Sequence, residues 1–175
     1  SLFLLLAFFF VICSAKGNVN PNLDSIKQEI STLSDSAGVY RLISLSDELK
    51  YSNTHKALEL AFLALEISIQ NNLDYELGIS HQGIAEIYRV RALYEKALEN
   101  HLAALEIFTT LKDSAKIAEC SNEAGNILMQ TQNYSQASVY FLRALLSNRI
   151  GTGCQQKIDV TSEPPQRLHL VPSPP

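Results

Sequence analysis

Histidine and glutamate side chains are the residues of this sequence whose types and spacing could do chemistry. His81 and His101 fall on two neighbouring predicted helices, where two imidazoles could bind a metal ion or exchange a proton. A metal site needs further converging ligands, and no Asp or Cys stands at a suitable spacing from this pair. The sequence therefore favours ordinary packing for both histidines, and it predicts no metal site, no cofactor and no catalytic residue. A metal-dependent enzyme that uses His81 and His101 is the weakest alternative.

Glutamates recur as two pairs with the same internal spacing: Glu59 with Glu66, and Glu99 with Glu106. The members of a pair lie two turns apart on one helix. This spacing is typical of a solvated outer face that forms ion pairs with nearby lysines. The sequence also lacks a glycine-rich phosphate loop, a G-x-S-x-G motif and an H-E-x-x-H motif. These observations predict a non-enzymatic protein.

The composition narrows the class of partner. The chain is 46% hydrophobic and 18% charged, which favours a folded domain over a disordered chain. Its formal net charge is −4, and its lysines and arginines form no basic stripe of the kind that binds nucleic acid. We therefore expect no nucleic-acid partner. Cys13, Cys120 and Cys154 are too few and too dispersed for a disulfide framework or a zinc motif.

An internal repeat organises the middle of the chain. The segments that begin at Lys56 and Lys96 read KALELAFLALEI and KALENHLAALEI, and they are identical at eight positions. Their offset, from position 56 to position 96, defines a repeat period of 40 residues. A third copy follows one period later, where Ala137 and Ala144 match Ala97 and Ala104. Apolar residues at spacings of three and four predict that each copy is a helix. A repeated supersecondary unit of this length indicates a solenoid.

Other helices alternate with these copies. The apolar spacing predicts helices at about Asp74–Val90 and Asp113–Gln130, so that each repeat is a helix–turn–helix unit. A leading helix at about Val39–Tyr51 would complete the first unit. A short helix from Pro21 to Leu33 precedes it, and Ser34–Gly38 is predicted to be a break between the two.

These units resemble the tetratricopeptide repeat (TPR) family. Gly83 to Tyr88 resembles the L-G-x-x-Y segment of that family, and Ala137, Phe141 and Ala144 resemble its A-x3-F-x2-A segment. The resemblance covers about residues 40–149 and implies an all-α fold of antiparallel helix–turn–helix repeats, stacked as a right-handed α-solenoid. Residues expected to pack between helices are Ala57, Ala64, Ala85, Tyr88, Ala97, Ala104, Gly125, Ala137, Phe141 and Ala144.

Three departures from the TPR pattern indicate a particular subgroup. The period, measured from Lys56 to Lys96, is longer than that of the common TPR unit, the family's Trp is replaced by His81 and Ser121, and its late Pro is missing. Long repeats of this kind resemble those of large bacterial signalling proteins. We expect repeats at residues 39–72, 73–112 and 113–150, after a short helix and linker at residues 16–38.

The two ends of the chain have a different composition. Leu2 to Ile12 is an apolar run followed by small residues, which predicts a truncated signal peptide over residues 1–15 that is cleaved after Ala15. The alternatives are a lipoprotein signal at Cys13, a buried helix of the mature fold and an uncleaved anchor in the inner membrane. This start predicts an exported, periplasmic protein. Residues 151–175 are rich in Pro and predict a disordered tail, which a frame error could also produce.

The resemblance to TPR proteins also implies a binding face. Leading helices of TPR hairpins line a concave groove, and seven polar residues are expected there: Gln82, Glu86, Arg89, Glu119, Asn122, Asn126 and Gln130. Amide side chains suit an extended peptide backbone, although the same residues could simply be solvated. The favoured function is a protein–protein interaction module, the exported input region of a bacterial histidine kinase, cyclase or regulator. A free-standing periplasmic or secreted scaffold is the alternative.

Overall fold

The fold is described from a computed structural model for residues 23–151. Its helices are, in chain order, α1 (Leu23–Ile30), α2 (Asp35–Leu49), α3 (Thr54–Gln70), α4 (Asp74–Val90), α5 (Tyr94–Leu111), α6 (Ser114–Gln130) and α7 (Tyr134–Gly151). Consecutive helices pack against each other as antiparallel hairpins, and residues 23–151 contain no β-strand. The predicted all-α, TPR-like solenoid is confirmed. The predicted signal peptide and all but the first residue of the predicted tail lie outside the described residues.

The turns between the hairpin helices recur at a constant interval along the chain. Helices α3 to α7 begin at positions 54, 74, 94, 114 and 134. The four turns between them each contain one residue in the left-handed conformation, namely Asn72, Ala92, Lys112 and Gln132, with φ between 53° and 61°. The following N–H then donates to the carbonyl oxygen five positions earlier, as from Leu73 to Ser68 at 2.9 Å. This Schellman arrangement satisfies the carbonyls at each helix end.

The start of the first hairpin differs from the sequence-based prediction. Helix α2 begins at Asp35, because the Ser34 hydroxyl caps it by accepting a hydrogen bond from the Ala37 N–H at 3.4 Å. Gly38 lies inside the helix rather than in a break. A Cβ atom at Gly38 would lie 2.8 Å from Cγ2 of Ile30, so the missing side chain lets α1 approach α2 closely.

Small residues lie where neighbouring helices approach one another. Seven of the predicted packing residues are alanines that are at most 7% exposed: Ala57, Ala64, Ala85, Ala97, Ala104, Ala137 and Ala144. Gly125 is buried, while Tyr88 and Phe141 are half-buried. The largest fully buried side chain is Phe108, whose ring lies over Gly78 and meets the ring of Tyr75 edge-on at 5.4 Å.

Burial is uneven along the stack. Near its N-terminal end, Ile26 of α1 is buried in a cluster with Val39, Leu42 and Leu60. At the other end, α7 exposes half or more of four apolar side chains: Val139, Leu142, Leu145 and Leu146. No described helix packs over this face of α7. Among residues 23–151, no helix is both long enough and apolar enough to cross a membrane.

Candidate functional site

The polar residues predicted to face a groove lie on α4 and α6. Gln82, Glu86 and Arg89 are half-buried on α4, whereas the four residues on α6 are exposed: Glu119, Asn122, Asn126 and Gln130. Sequence reasoning placed these seven residues on one continuous face. The structure distributes five of them over two clefts and leaves Gln82 and Glu86 outside both. It also ties several of the seven to charged partners within the chain.

Lys116 connects the two helices at one end of this face. Its ammonium group donates to Oε1 of Gln82 at 3.2 Å and to Oε2 of Glu119 at 2.8 Å. Gln82 and Glu119 are therefore engaged within the chain, so they are less available to a ligand than the sequence suggested. Lys116 was not among the predicted site residues, because its reach from α6 to α4 depends on how the helices pack.

Glu86 and Arg89 form an ion pair on α4. The Arg89 guanidinium donates to both carboxylate oxygens, at 2.8 Å and 2.5 Å, and the Lys50 ammonium lies 3.8 Å from Oε1. Hydrogen bonds from Arg89 lower the pKa of Glu86, and the Glu86 carboxylate raises the pKa of Arg89 in return. Both groups are therefore charged at neutral pH.

Two clefts border the α6 residues. The first has a volume of about 340 Å³ and is lined by Arg89, Tyr94, Glu123, Asn126, Ile127 and Gln130. The second has a volume of about 520 Å³ and is lined by Ala115, Ala118, Glu119, Asn122, Phe141, Ala144, Leu145 and Asn148. Because one wall of the second cleft comes from the exposed face of α7, only the first cleft joins residues of α4 and α6.

Three amides form a row along α6. Asn122, Asn126 and Gln130 follow one another at every fourth position, which places successive members about 6 Å apart along the helix axis. All three are exposed, and within residues 23–151 their side chains make no hydrogen bond. Alternate residues of an extended peptide repeat at about 6.6 Å, so the row matches the spacing of a bound peptide backbone.

His101 has different neighbours from those expected. His81 is hydrogen-bonded through Nδ1 to Oδ1 of Asn100 at 3.0 Å. His101 instead lies beside Glu86 and Glu123, and one ligand atom from each of these three residues lies within 4.8 Å of the others. Burial lowers the pKa of His101 to about 4, so its imidazole is neutral at pH 7.

The repeat explains why His101 is buried. His101 occupies the position that Ala61 has one period earlier and Phe141 has one period later. This is a packing position on the second helix of each hairpin, and His101 is only 2% exposed there. Unlike those residues, it brings two ring nitrogens into the core, and neither has a hydrogen-bond partner.

Stacked helical hairpins give the chain an all-α, TPR-like repeat fold. No protein-family model matches the chain. It is 33% identical over 98 residues to response regulator aspartate phosphatase I of Bacillus subtilis (strain 168). The aligned region covers 56% of this chain and 24% of that relative. The chain therefore spans about a quarter of the length of this relative.

A solved structure supports the fold. The crystal structure of the apo form of RapI matches with a TM-score of 0.62 and 24% sequence identity. The match covers 71% of this chain and 36% of that chain. At this identity the likeness supports the all-helical repeat fold and nothing further.

Two predictions from the sequence are wrong in the light of these comparisons. The prediction of a non-enzymatic protein is contradicted, because the Bacillus subtilis relative is named as a phosphatase. The prediction of an exported, periplasmic protein is also contradicted, because the match is with a response regulator phosphatase and not with an exported sensor region.

Proposed function

We propose that this chain is the partner-binding repeat segment of a signalling regulator, and that it binds an extended peptide segment along α6. The row formed by Asn122, Asn126 and Gln130 carries this proposal. Each amide offers both a donor and an acceptor, which are the groups needed to pair with a peptide backbone. Arg89 and Glu123 in the adjoining 340 Å³ cleft would select among peptide side chains by charge.

The relative suggests the signalling context. Its name describes action on the phosphorylated aspartate of a response regulator, and we propose that the parent of this chain also acts on a response regulator. In that arrangement the repeats would hold a peptide segment or the regulator itself. The long repeat period, which resembles that of bacterial signalling proteins, supports the same context.

Peptide binding can be tested with a triple variant and a matched control. The protein would be probed with an array of short unstructured peptides, followed by calorimetry with each peptide that binds. We expect Asn122→Ala, Asn126→Ala and Gln130→Ala together to weaken binding at least tenfold. The control replaces three exposed glutamates of α5, Glu95, Glu99 and Glu106, with alanine and should bind as the wild type does. Equal binding by the triple variant and the wild type would exclude this face.

The signalling context needs a separate measurement. The full-length parent would be incubated with a phosphorylated response regulator receiver domain, and the release of phosphate would be followed with and without the parent. Faster release would support action on a response regulator. If the parent neither binds the receiver domain nor alters its phosphate lifetime, the context is wrong, although peptide binding along α6 could still hold.

A further inference from the structure

His101 is a buried polar side chain without a partner. Its ring is 2% exposed, and neither Nδ1 nor Nε2 makes a hydrogen bond. Burying an imidazole in this way is unfavourable, because the ring loses its hydrogen bonds to water and gains none in the protein. The other two described repeats have alanine and phenylalanine at this position, so packing alone does not require histidine.

Two carboxylates converge on this ring from other helices. Glu86 is on α4 and Glu123 is on α6, and each places an oxygen within 4.8 Å of the other and of an imidazole nitrogen. Ligands that bind one tetrahedral zinc ion at about 2.1 Å lie about 3.4 Å apart. Side-chain rotations that move these atoms by roughly 1 Å would therefore bring all three within bonding distance of one ion.

We propose that Glu86, His101 and Glu123 bind one divalent transition-metal ion, with Zn²⁺ as the best match. Two carboxylates neutralise the charge of the ion, and a neutral imidazole nitrogen favours Zn²⁺ over Mg²⁺, which prefers oxygen ligands. The ion would join three successive helices and provide the missing partner of His101. The site shares Glu123 with the 340 Å³ cleft but needs none of the three amides of α6, so the amide variants and the zinc-site variants test the two proposals separately.

Neighbouring charges determine how such an ion would be held. Arg89 donates to both oxygens of Glu86, so the metal would share this carboxylate with the guanidinium. Hydrogen bonds of this kind orient a ligating carboxylate, although the positive charges of Arg89 and Lys50 oppose a second cation. Glu123 also lines the 340 Å³ cleft, which gives the ion a path from solvent and leaves room for a water ligand.

The test measures zinc binding to the metal-free chain by equilibrium dialysis, with Mg²⁺ as the comparison ion. We expect about one Zn²⁺ per chain and no Mg²⁺ at the same concentration. His101→Phe should lower the zinc affinity at least tenfold, because phenylalanine offers no ligand atom. Phe141, its counterpart, packs on Gly125, whereas the counterpart of that glycine is Ala85, so circular dichroism must first verify that the variant is folded. Glu123→Gln, which keeps the side-chain shape, should lower the zinc affinity in the same way.

Two controls and a second readout keep the result interpretable. His55→Gln removes an exposed histidine that lies 3.2 Å from Glu59, and Glu99→Gln removes an exposed carboxylate of α5; both should bind zinc normally. Zinc should also raise the thermal midpoint of the wild type but not that of His101→Phe. Equal zinc binding by the wild type and by folded His101→Phe, or no zinc binding by the folded wild type, would overturn the proposal.

Discussion

The two hairpins α4–α5 and α6–α7 are successive copies of one repeat, yet their equivalent residues are buried to different extents. Leu105 on α5 is 3% exposed, whereas Leu145, its counterpart on α7, is 62% exposed. Helix α6 packs against α5, while no described helix covers the equivalent face of α7. The same residue in the same register is therefore core or surface according to its neighbours. In a solenoid, the burial of a residue is determined by the neighbouring repeats as well as by its own repeat.

The largest expected contrast comes from one substitution made at both positions. Leu105→Ala should lower the free energy of unfolding by about 2–5 kcal/mol, because it opens a cavity in the core. Leu145→Ala should change it by less than about 0.5 kcal/mol, because the side chain is already solvated. Urea denaturation followed by circular dichroism measures both. Similar losses for the two variants would mean that α7 is covered in solution.

A second contrast concerns His101 and its counterpart Phe141. Because burial lowers the pKa of His101 from 6.5 to about 4, the unfolded chain binds a proton in this range that the folded chain excludes. We expect the free energy of unfolding to fall by about 3 kcal/mol as the pH drops from 6.5 to 4. Denaturation in the presence of a chelator, at several pH values, measures this loss.

His101→Phe provides the control for that loss. This variant places phenylalanine at both equivalent positions, so the decrease between pH 6.5 and 4 should largely disappear. Arg89 lowers the pKa of Glu86, so the ionised carboxylate contributes to the free energy of unfolding until the pH falls through that lowered pKa. The stability lost on protonation of Glu86 is therefore lost mainly at a lower pH than the stability lost on protonation of His101. Arg89 on α4 and Glu119 and Glu123 on α6 complete the charged groups around the ring. An unchanged pH profile in His101→Phe would contradict this explanation.

The smallest contrast tests how freely each hairpin can adjust. A Cβ atom at Gly78 would lie 2.6 Å from Cζ of Phe108, and one at Gly125 would lie 2.7 Å from Cε1 of Phe141. Phe108 is fully buried and cannot move aside, so Gly78→Ala should destabilise the protein by about 1–3 kcal/mol. Phe141 is half-buried and can shift toward solvent, so Gly125→Ala should cost less than about 1 kcal/mol. Thermal unfolding of both variants measures the two losses of stability. A larger loss for Gly125→Ala than for Gly78→Ala would contradict this prediction.

Much of the fold could be predicted from the sequence, because the spacing of apolar residues that indicates each helix recurs in every repeat. The spacing of apolar residues predicted the helix Asp74–Val90 with the bounds that the structure shows. The beginning of α2 was predicted less well, since Gly38 was interpreted as a break. A glycine that stops a helix and a glycine that admits a neighbouring helix look alike in sequence, and only the contact with Ile30 distinguishes them.

The cluster around His101 could not be predicted in the same way. Glu86 precedes His101 and Glu123 follows it at separations that correspond neither to a helix turn nor to the repeat period. Their counterparts in the repeat are Asn126 and Gly83, so the carboxylates do not recur. Their convergence depends on how three helices are rotated against one another. The only signal in the sequence was the presence of non-repeating charges on the helices that flank an out-of-pattern histidine.

The left-handed turn residues at Asn72, Ala92, Lys112 and Gln132 constrain how such a protein can change its length. From α3 to α6 every helix with its turn has the same length, but alternate helices present different faces, since the amide row lies on α6 and the packing histidine on α5. Gain or loss of a whole hairpin would therefore leave every downstream helix on its own side of the stack. Gain or loss of a single helix with its turn would preserve the turns, but every downstream helix would move to the opposite side of the stack. Polar side chains that now face solvent would then be placed in the core.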